Sequence, residues 1–414
     1  MKFLNSYKGL PKSVYIIFIV QIINRLGDFV LPFLALLLTQ KLGISFGATG
    51  FIVMTASLSM LVASFIGGKF ADTVGRRITY LGGQSMAGVL IFFCGFIHTP
   101  AVIILLLIAA NFFNGFVRPS LGAILSDVLP PDKRQAGIAL NHLGVNIGVA
   151  VGPMMAGFLF NHFLPLLYIG DALSSFVAVM IFYKYIQETK PTADKLVVAT
   201  HEERIEKGNL WQALCNKPQI MVFLTISVLY SFVYRQGSFS LPFMLNEVYP
   251  LAGAEKFGLL MSTNAITVVC LSLVTVALTQ RYHPLTNVIL AGIFYGIGYG
   301  MIGLISTFPL FMVSTVVWTM GEILAVANMG VYVANNSPAN FRARFNALSN
   351  LTSALGGALG TSLMGMYITV EGVKAVWPLT AFVAILGAGL LFGLKVFTKD
   401  RKVYQPCMQK KITP

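Results

Sequence analysis

Charge is what this sequence has least of. Asp, Glu, Lys and Arg make up 11% of the 414 residues, against 56% hydrophobic residues and a mean hydropathy of +0.77. A soluble protein carries charge on roughly a quarter of its positions, so a soluble enzyme is excluded. Cysteine is nearly as scarce: four residues, too few for a secreted disulfide scaffold. Cys94 and Cys270 fall within apolar segments, and Cys215 and Cys407 fall on the side expected to be reducing. The chain has no phosphate-binding G-x-x-x-x-G-K-S/T loop, no Cys/His metal spacing and no Ser, His and Asp set that suggests hydrolysis. ATP-driven transport and catalysis are therefore unsupported, and no cofactor or metal is expected.

What is present is a succession of uncharged stretches separated by short clusters of charge, Pro and Gly. A membrane-crossing helix needs about 20 apolar residues, so twelve spans take roughly 260 positions and leave about 150 for loops and tails. Cutting at the clusters predicts helices near 14–38, 47–68, 78–97, 101–125, 136–161, 165–186, 217–245, 253–279, 286–305, 309–335, 342–368 and 373–396. The run 135–170 has no charged residue and is too long for one span, so Asn161, His162 and Pro165 must mark a turn. The first span follows Lys2, Lys8 and Lys12 but is too long for a signal peptide and has no small-residue cleavage site.

Placing the charges explains the net +14. With a cytoplasmic N-terminus, Lys41, Lys256 and Lys374 are the basic residues of the outer loops, Arg25, Arg118 and Arg235 lie within spans, and all the others are cytoplasmic. That is the positive-inside pattern, and nucleic-acid binding is not expected. Both termini are then cytoplasmic in a multi-pass protein of the cytoplasmic membrane. The polar stretch 187–216 reads as a cytoplasmic linker between spans six and seven, and 397–414 as a cytoplasmic tail.

The two halves repeat each other. Arg25, Gly27, Phe29, Leu31, Pro32 and Phe33 recur 210 residues later as Arg235, Gly237, Phe239, Leu241, Pro242 and Phe243. Arg134, Ala139, Leu140, Leu143, Gly148 and Gly152 recur 208 residues later as Arg342, Ala347, Leu348, Leu351, Gly356 and Gly360. An Arg, a Gly and a Pro in register inside a membrane helix indicate duplication. The expected fold is an all-α membrane protein: twelve transmembrane helices in two pseudo-symmetric six-helix bundles, 1–186 and 217–396, rocking around a central site.

Between spans two and three the chain reads GGKFADTVGRR, with Gly68, Asp72, Gly75, Arg76 and Arg77. This resembles the signature G-x-x-x-D-x-x-G-R-R/K of the major facilitator superfamily, and with the duplication the resemblance covers essentially the whole chain. It implies a conformational latch in which Asp72 and the arginines hold the two bundles together on the cytoplasmic side in one state of a transport cycle. In the second half the matching loop, with Gln280, Arg281 and His283, has lost the acid and the glycine. Arg118 with Gly122 is similar to the family's fourth-helix pattern, which implies a part in proton coupling. Gly148, Gly152, Pro153 and Gly157 are similar to the fifth-helix packing motif of its drug:proton antiporter branch, although Ala156 stands at a glycine position.

Ionisable groups inside a bilayer are costly and mark function. Arg25 and Asp28 share one helical face, with Pro32 leaving a free carbonyl beside the acid. Asp28 and Glu322 are the proton-coupling candidates together with Arg118. For Asp28 the alternative is permanent neutralisation of Arg25 or Arg118, and for Arg118 a structural ion pair. Arg235 repeats Arg25 while Ser238 stands where Asp28 would be, which leaves Arg235 to pair with Glu322 across the cavity or to meet an anionic substrate. Asn24, Asn114, His142, Asn146 and Tyr234 complete the substrate-cavity candidates. Asn111, Tyr230, Asn264 and Asn328 share that possibility, though helix-packing hydrogen bonds explain each as well. Asp171 reads as a structural hydrogen-bond partner and Asp127 as interfacial.

The expected activity is secondary active transport, not enzymatic: proton-coupled efflux of amphipathic drug-like compounds or metabolites by alternating access. The proton gradient supplies the energy, and the working unit is a monomer in the lipid bilayer. The alternative is a proton-coupled importer of an anionic substrate such as a peptide or organic acid. A non-transporting receptor is a further alternative, which the retained loop motif and the buried acids speak against.

Overall fold

The structure, a computed structural model, describes residues 9–130, 133–190, 217–337 and 342–397. Expectations placed on the linker from 191 to 216, on the tail from 398 and on Lys2, Lys8, Cys215 and Cys407 lie outside the described residues. All regular structure among the described residues is helical. The helices are α1 (Lys12–Leu26), α2 (Phe46–Thr73), α3 (Arg76–Cys94), α4 (Pro100–Val128), α5 (Arg134–His162), α6 (Leu164–Tyr185), α7 (Pro218–Phe239), α8 (Gly253–Thr279), α9 (Pro284–Ile302), α10 (Phe308–Asn336), α11 (Arg342–Glu371) and α12 (Val376–Phe397). A short helix, Leu241–Val248, continues α7.

Ten of these segments are long and apolar enough to cross a membrane. Their outward faces are apolar too: Leu105 is 66% exposed, Met180 63% and Phe382 64%. Such surfaces are unstable in water and natural against lipid, so this is a multi-pass membrane protein. Local chemistry sets the starts. Proline occupies the first turn of α4, α6, α7, α9 and α10, where its missing N–H costs nothing. The Ser45 hydroxyl accepts the Ala48 amide to cap α2.

The first predicted span needs correction. It is not one helix over 14–38: α1 ends at Leu26, residues 27–33 are non-helical, and Leu34–Leu36 resumes as a single turn running into a π-turn at Leu37–Lys41. Pro32 disfavours helix in the residues just before it, and α1 ends earlier still, at Leu26. Asp171 of α6 supplies the acceptor that the freed amides need: its Oδ2 takes the N–H of Phe29 and that of Val30, each at 3.0 Å. Nothing in lipid could do so. The repeated segment in α7 stays helical to Phe239, and α12 contains no Asp or Glu to offer such a cap.

The duplication appears as a repeated helix pair. In the first half α5 lies against α1, and a Cβ on Gly152 would sit 2.7 Å from the Arg25 carbonyl oxygen. In the second half α11 lies against α7, and a Cβ on Gly360 would sit 3.0 Å from the Phe232 carbonyl oxygen. Gly148 and Gly356 make the same close approaches one turn earlier in α5 and α11.

The halves of the chain meet through α2 with α11 and α5 with α8. The contacts gather where α2 and α8 begin and α5 and α11 end. There the Gly47 amide donates to Thr369 Oγ1 at 3.2 Å, Asn161 Nδ2 donates to the Leu251 carbonyl at 3.2 Å, and Phe33 packs edge-on against Phe257. Gly157 belongs to the same seam, where a Cβ would fall 2.6 Å from the Ala254 carbonyl oxygen.

Candidate functional site

A cavity of about 480 Å³ opens between the two halves beside the break in α1. The first half contributes Asn24, Arg25 and Asp28 from the α1 region, Ser57 from α2, Gln84 from α3, Asn114 and Arg118 from α4, and Asp171 and Ser175 from α6. The second contributes Arg235, Ser238 and Phe239 from α7. The break lets Arg25, on the last helical turn, and Asp28, beyond it, both reach the space. They form an ion pair, Arg25 donating to Asp28 Oδ2 at 2.7 Å. One wall is set by amides: Gln84 Nε2 donates to Asn24 Oδ1 at 3.2 Å and to Ser175 Oγ at 2.9 Å. Across the cavity Arg235 donates to Ser57 Oγ at 3.1 Å, a polar bond that joins the two halves.

Glu322 of α10 stands apart from this lining. The Tyr234 hydroxyl donates to its Oε1 at 2.9 Å and Asn264 Nδ2 to its Oε2 at 2.7 Å, while Asn264 also donates to Thr319 Oγ1. Tyr299 in turn donates to the Tyr234 carbonyl at 3.3 Å. No Lys, Arg or His forms an ion pair with Glu322 among the described residues. The carboxylate is held by neutral donors alone.

The loop after α2 makes a third polar cluster. Gly75 has φ +140°, and a Cβ there would sit 2.6 Å from Glu188 Oε2. Glu188 caps α3, accepting the amides of Arg76 at 2.9 Å and Arg77 at 3.1 Å. Partial burial pushes the Glu188 carboxyl up, but backbone N–H groups of Arg76, Lys190, Arg77 and Thr189 outweigh it and hold the group below the usual glutamate range. Arg76 forms an ion pair with Asp127 at the end of α4, and Arg77 donates to the Tyr183 carbonyl at 2.5 Å with its guanidinium over that ring. Asp72 is exposed and forms no ion pair among the described residues. Gly68 lies against Pro119 of α4.

The model of the Major Facilitator Superfamily matches residues 17–361 and, again, 252–403. The chain belongs to the major facilitator superfamily. It is therefore a secondary transporter and not an enzyme. It is 24% identical over 345 residues to the uncharacterized MFS-type transporter YqjV of Bacillus subtilis, with 80% of each chain covered. It is 22% identical over 349 residues to a Na(+), Li(+), K(+)/H(+) antiporter of Planococcus maritimus, covering 77% of this chain and 80% of that one. Its fold is similar to a crystal structure of the peptide transporter POT in complex with sulfate, with a TM-score of 0.78 at 17% identity over 94% of this chain and 95% of that chain.

Of the residues singled out in the sequence, Asn24, Arg25, Asp28, Asn111, Asn114, Arg118 and Arg235 come together in the superfamily member's cavity. Tyr234 does not line it and binds Glu322 instead, so the expected reach of Arg235 to Glu322 is replaced by a bond to Ser57. His142 and Asn146 are also absent from the lining. Both lie on the face of α5 that, two to three turns further on, carries Pro153 against Gly258 of α8. Asn328 accepts from Asn287 at 2.9 Å and Tyr230 donates to the Val288 carbonyl at 2.8 Å, both within the second half. Asn111 lines the cavity while its amide donates to the Leu107 carbonyl in its own helix. Sequence reasoning passed over Ser57, Gln84 and Ser175. The signal for Gln84 was available, an amide in the middle of an apolar stretch; serines are too common in membrane helices to signal anything alone.

Proposed function

We propose that this transporter exchanges protons for a small amphipathic solute and exports it, by alternating access between two six-helix bundles, 1–186 and 217–396. The bundles are joined by a cytoplasmic linker at 187–216, the tail 397–414 is cytoplasmic, and the protein works as a monomer in the cytoplasmic membrane. The carrying observation is an ion pair, Arg25 with Asp28, in a cavity walled by both halves while the halves press together at one end.

Charge supports the orientation. The opposite end bears Lys69, Arg76, Arg77, Lys133, Arg134 and Lys184, and the closed end bears Lys41, Lys256 and Lys374. On that reading the closed end is extracytoplasmic and the cavity is in its inward-facing state. The loop arginines then bind their own half here, through Asp127 and Tyr183. They and Asp72 engage the other bundle when the cytoplasmic side closes.

Two carboxylates suit the proton. Protonating Asp28 cancels the charge that holds Arg25, freeing a guanidinium into the cavity. Glu322 has neutral donors alone, so loss or gain of its proton changes the net charge of the second half without a compensating partner. Arg118 shares the cavity with Asp28. Antiport is favoured by the Planococcus relative and by the α5 seam: Gly148 and Gly152 pack against α1 at Arg25, while Gly157 packs against α8 of the other half. One helix thereby touches both the ion-paired segment and the interface that must move. The solute is amphipathic because the polar lining is flanked by Leu31, Val53, Met60, Ile91 and Phe239.

The test is flux in proteoliposomes under an imposed pH gradient, with Asp28→Asn and Glu322→Gln beside the wild type. Coupled flux in the wild type, lost in at least one variant, is the expected result. Coupling retained in both removes the proton-site assignment, and absence of any flux across a broad solute screen removes the transport reading.

A further inference from the structure

The cavity's charges do not balance. It holds three guanidinium groups, Arg25, Arg118 and Arg235, and two carboxylates, Asp28 and Asp171. Asp28 is committed to Arg25 at 2.7 Å. Asp171, 5% exposed, is committed to the Phe29 and Val30 amides and forms no ion pair among the described residues. Arg235 has a neutral hydroxyl, Ser57, as its bonded partner, and its buried Nε has none. Arg118 makes no hydrogen bond and no ion pair among the described residues. Two guanidinium groups, one from each half, thus face a shared space at membrane depth without a carboxylate in contact.

We infer that the transported solute carries an organic carboxylate on a small apolar body, and that Arg118 and Arg235 hold the carboxylate. This rests on the transport reading above and adds the sign of the cargo's charge. An uncompensated guanidinium away from bulk water is costly, and the two-pronged donor geometry of Arg matches a carboxylate. A lipophilic cation gains nothing here, since the acids that would receive it are already bonded. The volume suits one small molecule rather than a chain. The apolar body lies against Leu31, Val53, Met60 and Phe239, which line the same space. Because Arg118 and Arg235 belong to opposite halves, a carboxylate between them draws the halves together on the open side, so binding favours closure.

The discriminating probes share one ring and differ in charge: benzoate, benzamide and benzylammonium, with inorganic phosphate as a fourth. Purified full-length protein is titrated with each while its thermal midpoint is read, and radiolabelled benzoate and benzylammonium are followed in proteoliposomes under a pH gradient. Benzoate is expected to raise the midpoint saturably and benzamide and benzylammonium to leave it unchanged. Arg118→Gln and Arg235→Gln are each expected to weaken benzoate at least about tenfold, and Arg235→Lys to recover part of that. Should the variants fail to fold, the ranking of the four probes on the wild type decides alone. Benzylammonium binding without benzoate, or phosphate acting where benzoate does not, overturns the inference. Benzylammonium flux without benzoate flux overturns it too while leaving transport intact. Arginine-dependent benzoate binding with no flux of any solute upholds the carboxylate site at Arg118 and Arg235 and overturns the reading of that carboxylate as cargo.

Discussion

Asp171 Oδ2 accepts the amide of Val30 at 3.0 Å from a position 141 residues away in the chain, and accepts that of Phe29 equally. The carboxylate replaces the acceptors that α1 loses when it stops at Leu26, which is what lets the segment carrying Asp28 leave the helix. Asp171→Ala strands two buried amides, and each unmet donor costs about 1–3 kcal/mol. The variant should lose thermal stability by on the order of 3 kcal/mol, measured as a fall in the unfolding midpoint of purified protein. Asp171→Asn keeps a carbonyl oxygen and should recover most of the loss. Equal damage from Ala and Asn would mean that the carboxylate's charge, not its acceptor, matters.

The two α-helix seams created by duplication should differ in tolerance. A Cβ on Gly152 meets backbone, the Arg25 carbonyl oxygen at 2.7 Å, and backbone cannot step aside. On Gly360 the nearest atoms are the Phe232 carbonyl oxygen at 3.0 Å and the movable Gln236 side chain at 3.1 Å. Gly152→Ala should therefore cost roughly 1–3 kcal/mol through overpacking, and Gly360→Ala clearly less. Thermal midpoints of the two single variants check the order, and a larger loss for Gly360→Ala would contradict it.

That difference also marks how far sequence alone reaches. The seams were visible as Gly148 and Gly152 recurring as Gly356 and Gly360, because close backbone contact needs glycine and glycine repeats are easy to see. The spans were visible because lipid excludes charge. The gathering of Arg25, Asp28, Arg118 and Arg235 followed from the cost of burying such groups. The break at 27–33 was not legible, because the acceptor that satisfies its freed amides lies in α6, far along the chain. The partner of Arg235 was equally hidden: a serine hydroxyl on α2 is specified by the packing of two halves, not by any local pattern.

The Glu188 cap predicts a pH dependence confined to the start of α3. Its carboxyl lies below the ordinary glutamate value because backbone amides of Arg76 and Arg77 donate to the ionised form. A group depressed in the folded state contributes stability above its unfolded value, and that contribution disappears as pH falls through the folded value. Protection of the Arg76 and Arg77 amides from hydrogen exchange should be constant near neutrality and fall only once pH drops below the ordinary glutamate value. Glu188→Gln should lower the protection at neutral pH and flatten the profile. A profile in Glu188→Gln that still falls there as in the wild type would assign it to another acid.

The contact between Gly47 and Thr369 offers a direct test of rocking. The amide of Gly47 donates to Thr369 Oγ1 at 3.2 Å, and a Cβ built on Gly47 would lie 3.6 Å from that oxygen. Thr369 Oγ1 stands where a cysteine sulfur at that position could lie, within reach of a Cβ on Gly47, so Gly47→Cys with Thr369→Cys is placed to bridge α2 and α11. In a background with Cys94, Cys215, Cys270 and Cys407 replaced, oxidant should cross-link the pair readily, seen as altered gel mobility. The bridge ties the halves at the end where they already meet. Reorientation requires that end to open, so flux should stop on oxidation and return with reductant, while each single-cysteine variant keeps its flux under oxidant. Full flux through the cross-linked protein would mean that the halves need not separate there, and transport would have to proceed by some motion other than alternating access.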